Sequence, residues 1–382
     1  MRLKPRFSPN YGWAECRAAF SPSRGMVEKY EQAFARKFGC SFGVMFSYGR
    51  VGLYALFKVW GINKAEIICP AYTCVVVPHA IVLSENIPVF IDCAPGSFNM
   101  DLEKVQSALN PRTRAVIATH LFGYPMDVER LRQMVTKAEE RYGHKIFVIQ
   151  DVAHCFGARW KGELVTTWGD ASIFGCNISK IINSIFGGIV TTNDEHTYEI
   201  LREYRGRNSR DGGRMKSLRR LFYFLAVLIA FKPSVFGFIN LLERKGYLDR
   251  FVKYYNEALI EFPSDWDLLP SEIEARIGMV QLEKYDNLIS QRIGNAQAYI
   301  QQFIGRDNIS VLPFYEGATY SHFVALVQDR KAWLNSYRIQ GIQLGALIDY
   351  VIPSMKAYQK FSKESFPVAQ DYSSHIINFP LT

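Results

Sequence analysis

The sequence predicts an α/β fold built on a parallel sheet covered on both faces. Short apolar runs alternate with stretches of helical periodicity through the first half, and those runs are β-branched and nearly uncharged. A strand with no polar face has no side to show to water, so helices must cover both. Glu66–Cys69, Pro88–Ile91, Ala115–Thr119 and Ile146–Ile149 read as buried strands, with Val51–Val59 and Met126–Glu140 as helices. Ligands of such a sheet sit beyond the carboxyl ends of its strands, so chemistry is sought just after each apolar run.

Beyond about residue 190 the alternation stops. From Ser271 a helical stripe runs through Ile273, Ile277, Val280, Leu282, Tyr285 and Leu288, and Ser271 and Glu274 have the spacing of a capping box. Residues after about 295 read as a small α+β unit: a helix to Phe303, a strand near Ser321–Val327, a helix from Arg330 and a closing segment. This organisation gives a large α/β domain over 1–205, a basic and apolar insertion over 206–262, and a helix with a small C-terminal α+β domain over 263–382.

With 382 residues, 48% hydrophobic and 21% charged, the chain is outside the disordered and collagen-like classes. The formal net charge of +9 is concentrated locally: Arg205, Arg207, Arg210, Arg214, Lys216 and Arg219 lie between Arg202 and Arg220, against Glu203 and Asp211. That run reads as a solvated face, as ligands for anionic phosphates, or as a contact for an anionic membrane surface. No nucleic-acid module is recognisable, and no nucleic-acid partner is expected. The seven cysteines are odd in number, scattered among apolar residues and without C-x-x-C pairing, so reduced thiols of a cytoplasmic protein are expected and no metal site. The first residues, Met1-Arg2-Leu3-Lys4-Pro5, lack the apolar core of a signal peptide.

Two ionisable residues stand where chemistry is sought. Asp151 directly follows the strand run Ile146–Gln150, and a carboxylate there is poorly solvated and needs a cationic or hydrogen-bonding partner. Lys180 follows a second apolar run, Ala171–Cys176, and precedes Gly187-Gly188. A lysine in apolar surroundings has its ammonium form disfavoured and becomes a better amine nucleophile. Paired in one site the two suit pyridoxal 5'-phosphate, the lysine binding the cofactor covalently and the carboxylate keeping its pyridine nitrogen protonated. Taken singly, they read equally as a surface-loop lysine and a strand-end cap.

The segment Gln150-Asp151-Val-Ala-His154-Cys-Phe-Gly157, then Gly169-Asp170-Ala-Ser-Ile-Phe174, Lys180 and Phe186-Gly-Gly-Ile-Val190, resembles the DegT/DnrJ/EryC1/StrS family of pyridoxal-phosphate-dependent sugar aminotransferases. Further matches follow in the same order, among them Pro70-Ala-Tyr-Thr73, Pro88-Val-Phe-Ile-Asp92, His120-Leu-Phe-Gly123-Tyr-Pro125-Met-Asp127 and Gly278-Met-Val-Gln281-Leu-Glu283. The resemblance covers most of residues 28 to 380. It implies a three-layer α/β/α large domain, a small α+β C-terminal domain and a homodimer with sites at the subunit interface. By motif it makes Lys180 the cofactor-binding lysine and Asp151 the pyridinium partner, and puts His154 near the cofactor's phenolic oxygen. Gly49 and Arg50 fall where backbone N–H groups at a helix start bind the phosphate, Cys74 at the ring-stacking position, and Ser179 where a hydroxyl can add a contact. The implied reaction moves an amino group, commonly from glutamate, to the keto group of a nucleotide-linked sugar in polysaccharide, lipopolysaccharide or antibiotic synthesis. Two alternatives stay open: a lipid-linked or carrier-bound carbonyl acceptor at the membrane, and a non-catalytic scaffold relative.

Several positions depart from the family pattern. Cys74 stands in place of the stacking aromatic, with Tyr72 or Phe122 as candidate substitutes; Gly175 replaces a serine five residues before the lysine; Asn177 replaces an aromatic or histidine; and an Asn-x-Arg element contributed across the dimer aligns with Asp267–Leu269. The stretch Leu221–Phe231 is eleven uncharged residues, followed by Lys232-Pro233 and a second apolar run to Leu242. About twenty apolar residues are needed to span a bilayer, and Pro233 interrupts a single long helix. The segment reads as a buried helical hairpin or as an interfacial anchor within 214–245, flanked by Arg214, Lys216, Arg219, Arg220, Arg244 and Lys245.

Overall fold

The structure is a computed structural model that describes residues 3–247, 256 and 258–381. In chain order its first strands are β1 (Phe42–Phe46), β2 (Glu66–Pro70), β3 (Ile87–Ile91), β4 (Thr113–Thr119) and β5 (Phe147–Asp151). A short hairpin, β6 (Arg159–Trp160) and β7 (Glu163–Leu164), precedes β8 (Ala171–Gly175) and β9 (Gly188–Thr192). All except the hairpin join one seven-stranded sheet in the order β1-β9-β8-β5-β4-β2-β3. The four strands expected from the apolar runs are present, extended by one or two residues, the last starting at Phe147 rather than Ile146. The expected parallel pairing holds from β3 across to β8 and fails at β9, which is antiparallel to both β8 and β1. The reason is the connection after Gly175, which consists of turns rather than a crossover helix; a chain returning to the neighbouring position without a crossover pairs antiparallel.

Alternate strand residues serve the two faces, as the period of two requires. Phe46, Ile67, Cys69, Ala115, Ile117, Ile149, Ile173 and Val190 pack into one cluster with Leu53, Leu56 and Phe57 of the helix Gly49–Val59 and with the helix Val76–Leu83. Their neighbours Ile68, Val116, Ala118 and Val148 face the opposite way, against the helices Leu102–Ala108 and Val128–Tyr142. On that side of β1, β8 and β9, Met45, Phe174 and Ile189 meet Tyr30, Phe34 and Phe38. This is the three-layer α/β/α arrangement.

The C-terminal portion opens on the helix Glu272–Phe303, capped by Ser271, whose N–H and hydroxyl both donate to Glu274 Oε2 at 2.8 Å. The two helices expected on either side of residue 295 are one 32-residue helix. The inward stripe continues through Tyr285, Ile289, Arg292, Ala296, Ile300 and Phe303 at spacings of three and four, and Gly294 alone is too weak a breaker to end it. Strands β10 (Ile309–Ser310), β11 (Phe323–Val327) and β12 (Ile376–Phe379) form a small antiparallel sheet with the helices Arg330–Ile339 and Pro367–His375.

The basic run is mostly paired within the chain rather than presented to anions. Arg205 bridges to buried Glu31 and Arg207 to Glu203, while Arg210 clasps Asp267 through two N–H donors at 2.6 and 2.9 Å. Lys216 and Arg220, expected among the membrane-facing cations, instead turn inward and are buried. Both pair with Glu274 (3.2 and 2.7 Å), and Arg220 also reaches Asp265, whose other oxygen accepts from Tyr48. The helices Gly213–Ala230 and Phe236–Arg244 fold back as a half-buried pair. Phe224, Leu221, Leu225 and Leu228 pack on Ala19, Ile185, Ile273 and Ile277, whereas Met215, Leu218, Phe222 and Ile229, spaced at three, four and seven, are exposed along with Phe238 and Leu241. Among the described residues no helix is long and apolar enough to cross a membrane.

Removing the shared carboxylate with Glu274→Ala leaves Lys216 buried without a counter-charge. The expected loss is about 3–5 kcal/mol, read as a lower midpoint of urea unfolding; an unchanged midpoint contradicts the buried pairing.

Candidate active site

Strand pairing places the chemistry. In the register of β4 with β5, Thr119 stands opposite Asp151, and its hydroxyl donates to Asp151 Oδ2 at 3.1 Å while the Ala153 N–H donates to Oδ1 at 3.2 Å. Asp151 is buried, and no cation among the described residues lies within ion-pair distance of it. Burial raises its pKa, opposed by the Ala153 N–H, the Lys180 charge and the Thr119 hydroxyl. Lys180 sits in the turn that links β8 to β9, its N–H donating to Asn177 O at 3.0 Å. Desolvation of its ammonium lowers its pKa, with Cys74, Asp151 and Cys176 opposing. The lysine's Cε passes over Gly175, where an added Cβ would lie 3.6 Å from it.

Two glycine contacts hold this arrangement together. A Cβ on Gly188, the first residue of β9, would lie 2.2 Å from both Cα and N of Gly49. No side chain fits there, so β9 and the start of the helix Gly49–Val59 meet backbone to backbone. The N–H groups of Val51 and Gly52 return to Tyr48 O, leaving those of Gly49 and Arg50 ahead of any intrahelical acceptor. Arg50 lies over the Tyr48 ring at 5.9 Å. The second contact is Gly123, where a Cβ would meet Tyr320 N at 2.5 Å. This close approach brings the loop before β11 against the loop after β4.

That second approach brings together residues far apart in sequence. His154 stacks on Phe122 (5.9 Å between centroids) and meets His322 at 5.1 Å. Phe122 has φ 57°, a left-handed conformation that costs a non-glycine residue about 1–2 kcal/mol and aligns its ring with the histidine. Burial, then the Lys180 charge and His322, hold the His154 pKa well below the ordinary histidine value. His120, in the loop after β4, accepts from Met126 N–H at Nδ1 (2.9 Å) and lies 2.7 Å from Gln150 Oε1 at Nε2. These partners fix a neutral tautomer with the proton on Nε2.

Of the seven sequence candidates, Lys180, Asp151, His154 and Cys74 belong to one neighbourhood, since Lys180 interacts with Cys74 and Asp151 and perturbs His154. Gly49 adjoins it through Gly175. Arg50 lies beside His79 and Tyr358, whose ionisation it perturbs. Ser179 donates to Asn177 Oδ1 at 2.6 Å and lines a small cleft with Arg6, Phe7, Arg292 and His322. Thr119, His322 and Arg292 escaped the sequence reading. A histidine immediately before the apolar run of β11, and an arginine on the apolar stripe of a helix, were the available signals. Asp267, at the aligned position of the Asn-x-Arg element, is occupied by Arg210.

A half-buried amine and a buried carboxylate meet beyond the carboxyl ends of neighbouring strands of a three-layer α/β/α sandwich. The model of the DegT/DnrJ/EryC1/StrS aminotransferase family matches residues 21–223 and 241–382, and the chain belongs to that family. It is similar to GDP-perosamine synthase of Escherichia coli O157:H7, 26% identical over 359 residues, 93% of this chain and 84% of that protein. It is also similar to dTDP-3-amino-3,6-dideoxy-alpha-D-galactopyranose transaminase of Aneurinibacillus thermoaerophilus, 25% identical over 367 residues, 94% of this chain and 85% of that protein. Among solved structures, S. venezuelae DesV in complex with a ketimine intermediate shares the fold with a TM-score of 0.77 at 20% identity, covering 100% of this chain and 93% of that one.

The buried histidines make the fold acid-sensitive. His79 and His120 are held at about 4 by burial, against 6.5 for the free side chain, and His154 and His322 are displaced in the same direction. Each folded-state value lies below the unfolded one, so the stabilisation is complete above pH 6.5 and is lost as pH falls toward 4. The gap is worth about 3 kcal/mol for each of the first two. A urea-unfolding midpoint that declines from pH 6.5 to 5 is expected; one that stays flat over that interval contradicts neutral burial.

Proposed function

We propose that the protein is a pyridoxal-phosphate-dependent aminotransferase that moves an amino group from an amino acid to the keto group of a nucleotide-linked sugar. The observation that carries this reading is the placement of half-buried Lys180 beside buried Asp151 in a member of the family. The donor set fits the cofactor. Asp151 is a buried carboxylate lacking a close cation, as a partner for a pyridinium requires, and Lys180 is an amine biased toward its neutral, nucleophilic form. The helix start at Gly49 and Arg50 offers N–H groups and a guanidinium to a phosphate, and neutral His154 offers a ring nitrogen at the same site. Cys74 aligns where a stacking ring is common in the family, and Tyr72 and Phe122 are buried aromatics whose rings meet at 6.3 Å.

When bound, the cofactor supplies an electron sink for the carbon that gains or loses the amino group. The chain's own contribution is positional and protolytic. Lys180 Nζ takes and returns the substrate proton as general base and acid, and its lowered pKa favours the form that accepts it. Asp151, held by Thr119 and Ala153, would be the residue that pairs with the cofactor's ring nitrogen. The sugar acceptor follows from the named activities of the two relatives, both of which make amino sugars. A homodimer belongs to the same reading.

Purified protein supplied with pyridoxal phosphate is expected to absorb near the visible edge and to change on adding glutamate. Lys180→Ala abolishes that absorbance, and Asp151→Asn keeps it while slowing the glutamate response about a hundredfold. Protein that stays colourless with cofactor present supports the scaffold alternative; colour indifferent to every amino donor supports different chemistry on the same cofactor.

We further propose that the exposed stripe of Met215, Leu218, Phe222 and Ile229, with Phe238 and Leu241, rests on an anionic membrane surface. Arg214, Arg219, Arg244 and Lys245 are exposed beside it, the combination of apolar face and flanking cations that suits an interfacial helix. This placement favours an acceptor carried on a lipid as the second reading of the substrate. Wild type is expected to float with phosphatidylglycerol vesicles and the Phe222→Asp, Ile229→Asp double variant to stay behind. Equal behaviour of the two removes the membrane contact.

A further inference from the structure

The cleft beside Lys180 holds an imbalance of charge. Arg292 occupies a position on the inward stripe of the helix Glu272–Phe303 that its neighbours fill with Ile289 and Ala296, and it is buried. Its Nη1 donates to Ser321 O at 2.9 Å, and no described carboxylate lies within 4 Å of it or of Arg6, which lines the same cleft. His322 is buried alongside, its Nδ1 3.1 Å from Ser321 Oγ, while its Nε2 has no protein partner among the described residues. Burial first, and then the charges of Lys180, Arg292 and Arg6, act against protonation of His322, and burial pulls Arg292 itself down to about 10. Placing a guanidinium in an apolar stripe is costly unless something pairs with it.

We propose that Arg292, with His322 Nε2, binds the carboxylate of the amino-acid donor. The proposal rests on the aminotransferase reading and specifies the donor's recognition within it. The free edge of the guanidinium matches the two oxygens of a carboxylate, and Ser179 adjoins the lysine that must meet the donor's amino group. The cofactor's phosphate is a different anion at a different end: Gly49 and Arg50 share no lining residue with this cleft, and Arg50 lies beside Tyr48, His79 and Tyr358. With Nδ1 accepting from the Ser321 hydroxyl, neutral His322 would carry its proton on Nε2 and donate it to the carboxylate. The orientation of Arg292 by Ser321 O fixes the fork before the donor arrives.

The test compares two nucleophiles on the cofactor-loaded protein, L-glutamate and hydroxylamine, which has no carboxylate. Arg292→Ala should slow the absorbance change with limiting glutamate roughly 100-fold and leave the hydroxylamine reaction within a few fold, with cofactor content unchanged. Arg292→Lys should restore part of the glutamate rate, and His322→Gln should lose roughly tenfold with glutamate alone. A second measurement needs neither turnover nor cofactor: glutarate should raise the thermal midpoint of the wild-type apoprotein, raise that of Arg292→Lys and His322→Gln less, and leave that of Arg292→Ala unchanged. Equal losses with both nucleophiles would mean Arg292 only supports the loop through Ser321, loss of cofactor would assign it to the phosphate, and an unchanged glutamate rate would remove the site. Failure of the aminotransferase reading is separate: it appears as absence of Lys180-dependent absorbance in wild type.

Discussion

Two ionisable side chains, the buried Asp151 carboxylate and the half-buried Lys180 amine, are kept in one neighbourhood, and much of the architecture is the means of keeping them there. Neither is neutralised by a close ion pair among the described residues. Asp151 is tied by one hydroxyl and one backbone N–H, and Lys180 has only thiols and that carboxylate to favour its charge. Burial pushes the two pKa values toward each other, up for the acid and down for the base. An arrangement of this kind costs stability unless a ligand completes it.

The sheet explains how the two groups come together. Asp151 ends a central strand flanked by β4 and β8, so it points out at the carboxyl edge with Thr119 in register beside it. Lys180 lies in the turns leading to β9, the strand that reverses the sheet's direction. The reversal needs no crossover helix, which keeps the lysine's loop short and over the sheet edge. Gly188 lets β9 abut the helix start at Gly49, and Gly123 lets the loop carrying His322 reach Phe122 and His154. The site is therefore assembled from the large sheet, one helix start and the C-terminal portion. Change at either glycine would be felt at all three.

The sequence made the central strands legible because each is a continuous apolar run, and Asp151 was legible because it terminates one. The capping box at Ser271 was likewise written locally, in two residues with one spacing. β1 and β9 were harder: Phe42–Phe46 and Gly188–Thr192 are glycine-containing and threonine-containing segments whose pairing depends on partners about 150 residues away. The inward turn of Lys216 and Arg220 was invisible for a similar reason, since their counter-charges Glu274 and Asp265 lie across a long stretch of chain. His322 and Arg292 depend on the docking of the C-terminal portion, and no local pattern announces a contact made through Gly123 and Tyr320. Family resemblance supplied roles for Gly49, Arg50, Cys74, His154 and Ser179 that spacing alone left open, while the departures at Gly175 and Asp267 mark where this member is rebuilt.

The claim on which the account depends is that position 180, among many lysines, carries the cofactor. Pyridoxal-phosphate-loaded protein reduced with borohydride and digested with trypsin would report this by peptide mass spectrometry. The account predicts a single cofactor adduct on the peptide containing Lys180. An adduct confined to a different lysine, or spread over surface lysines with Lys180 unmodified, would contradict it.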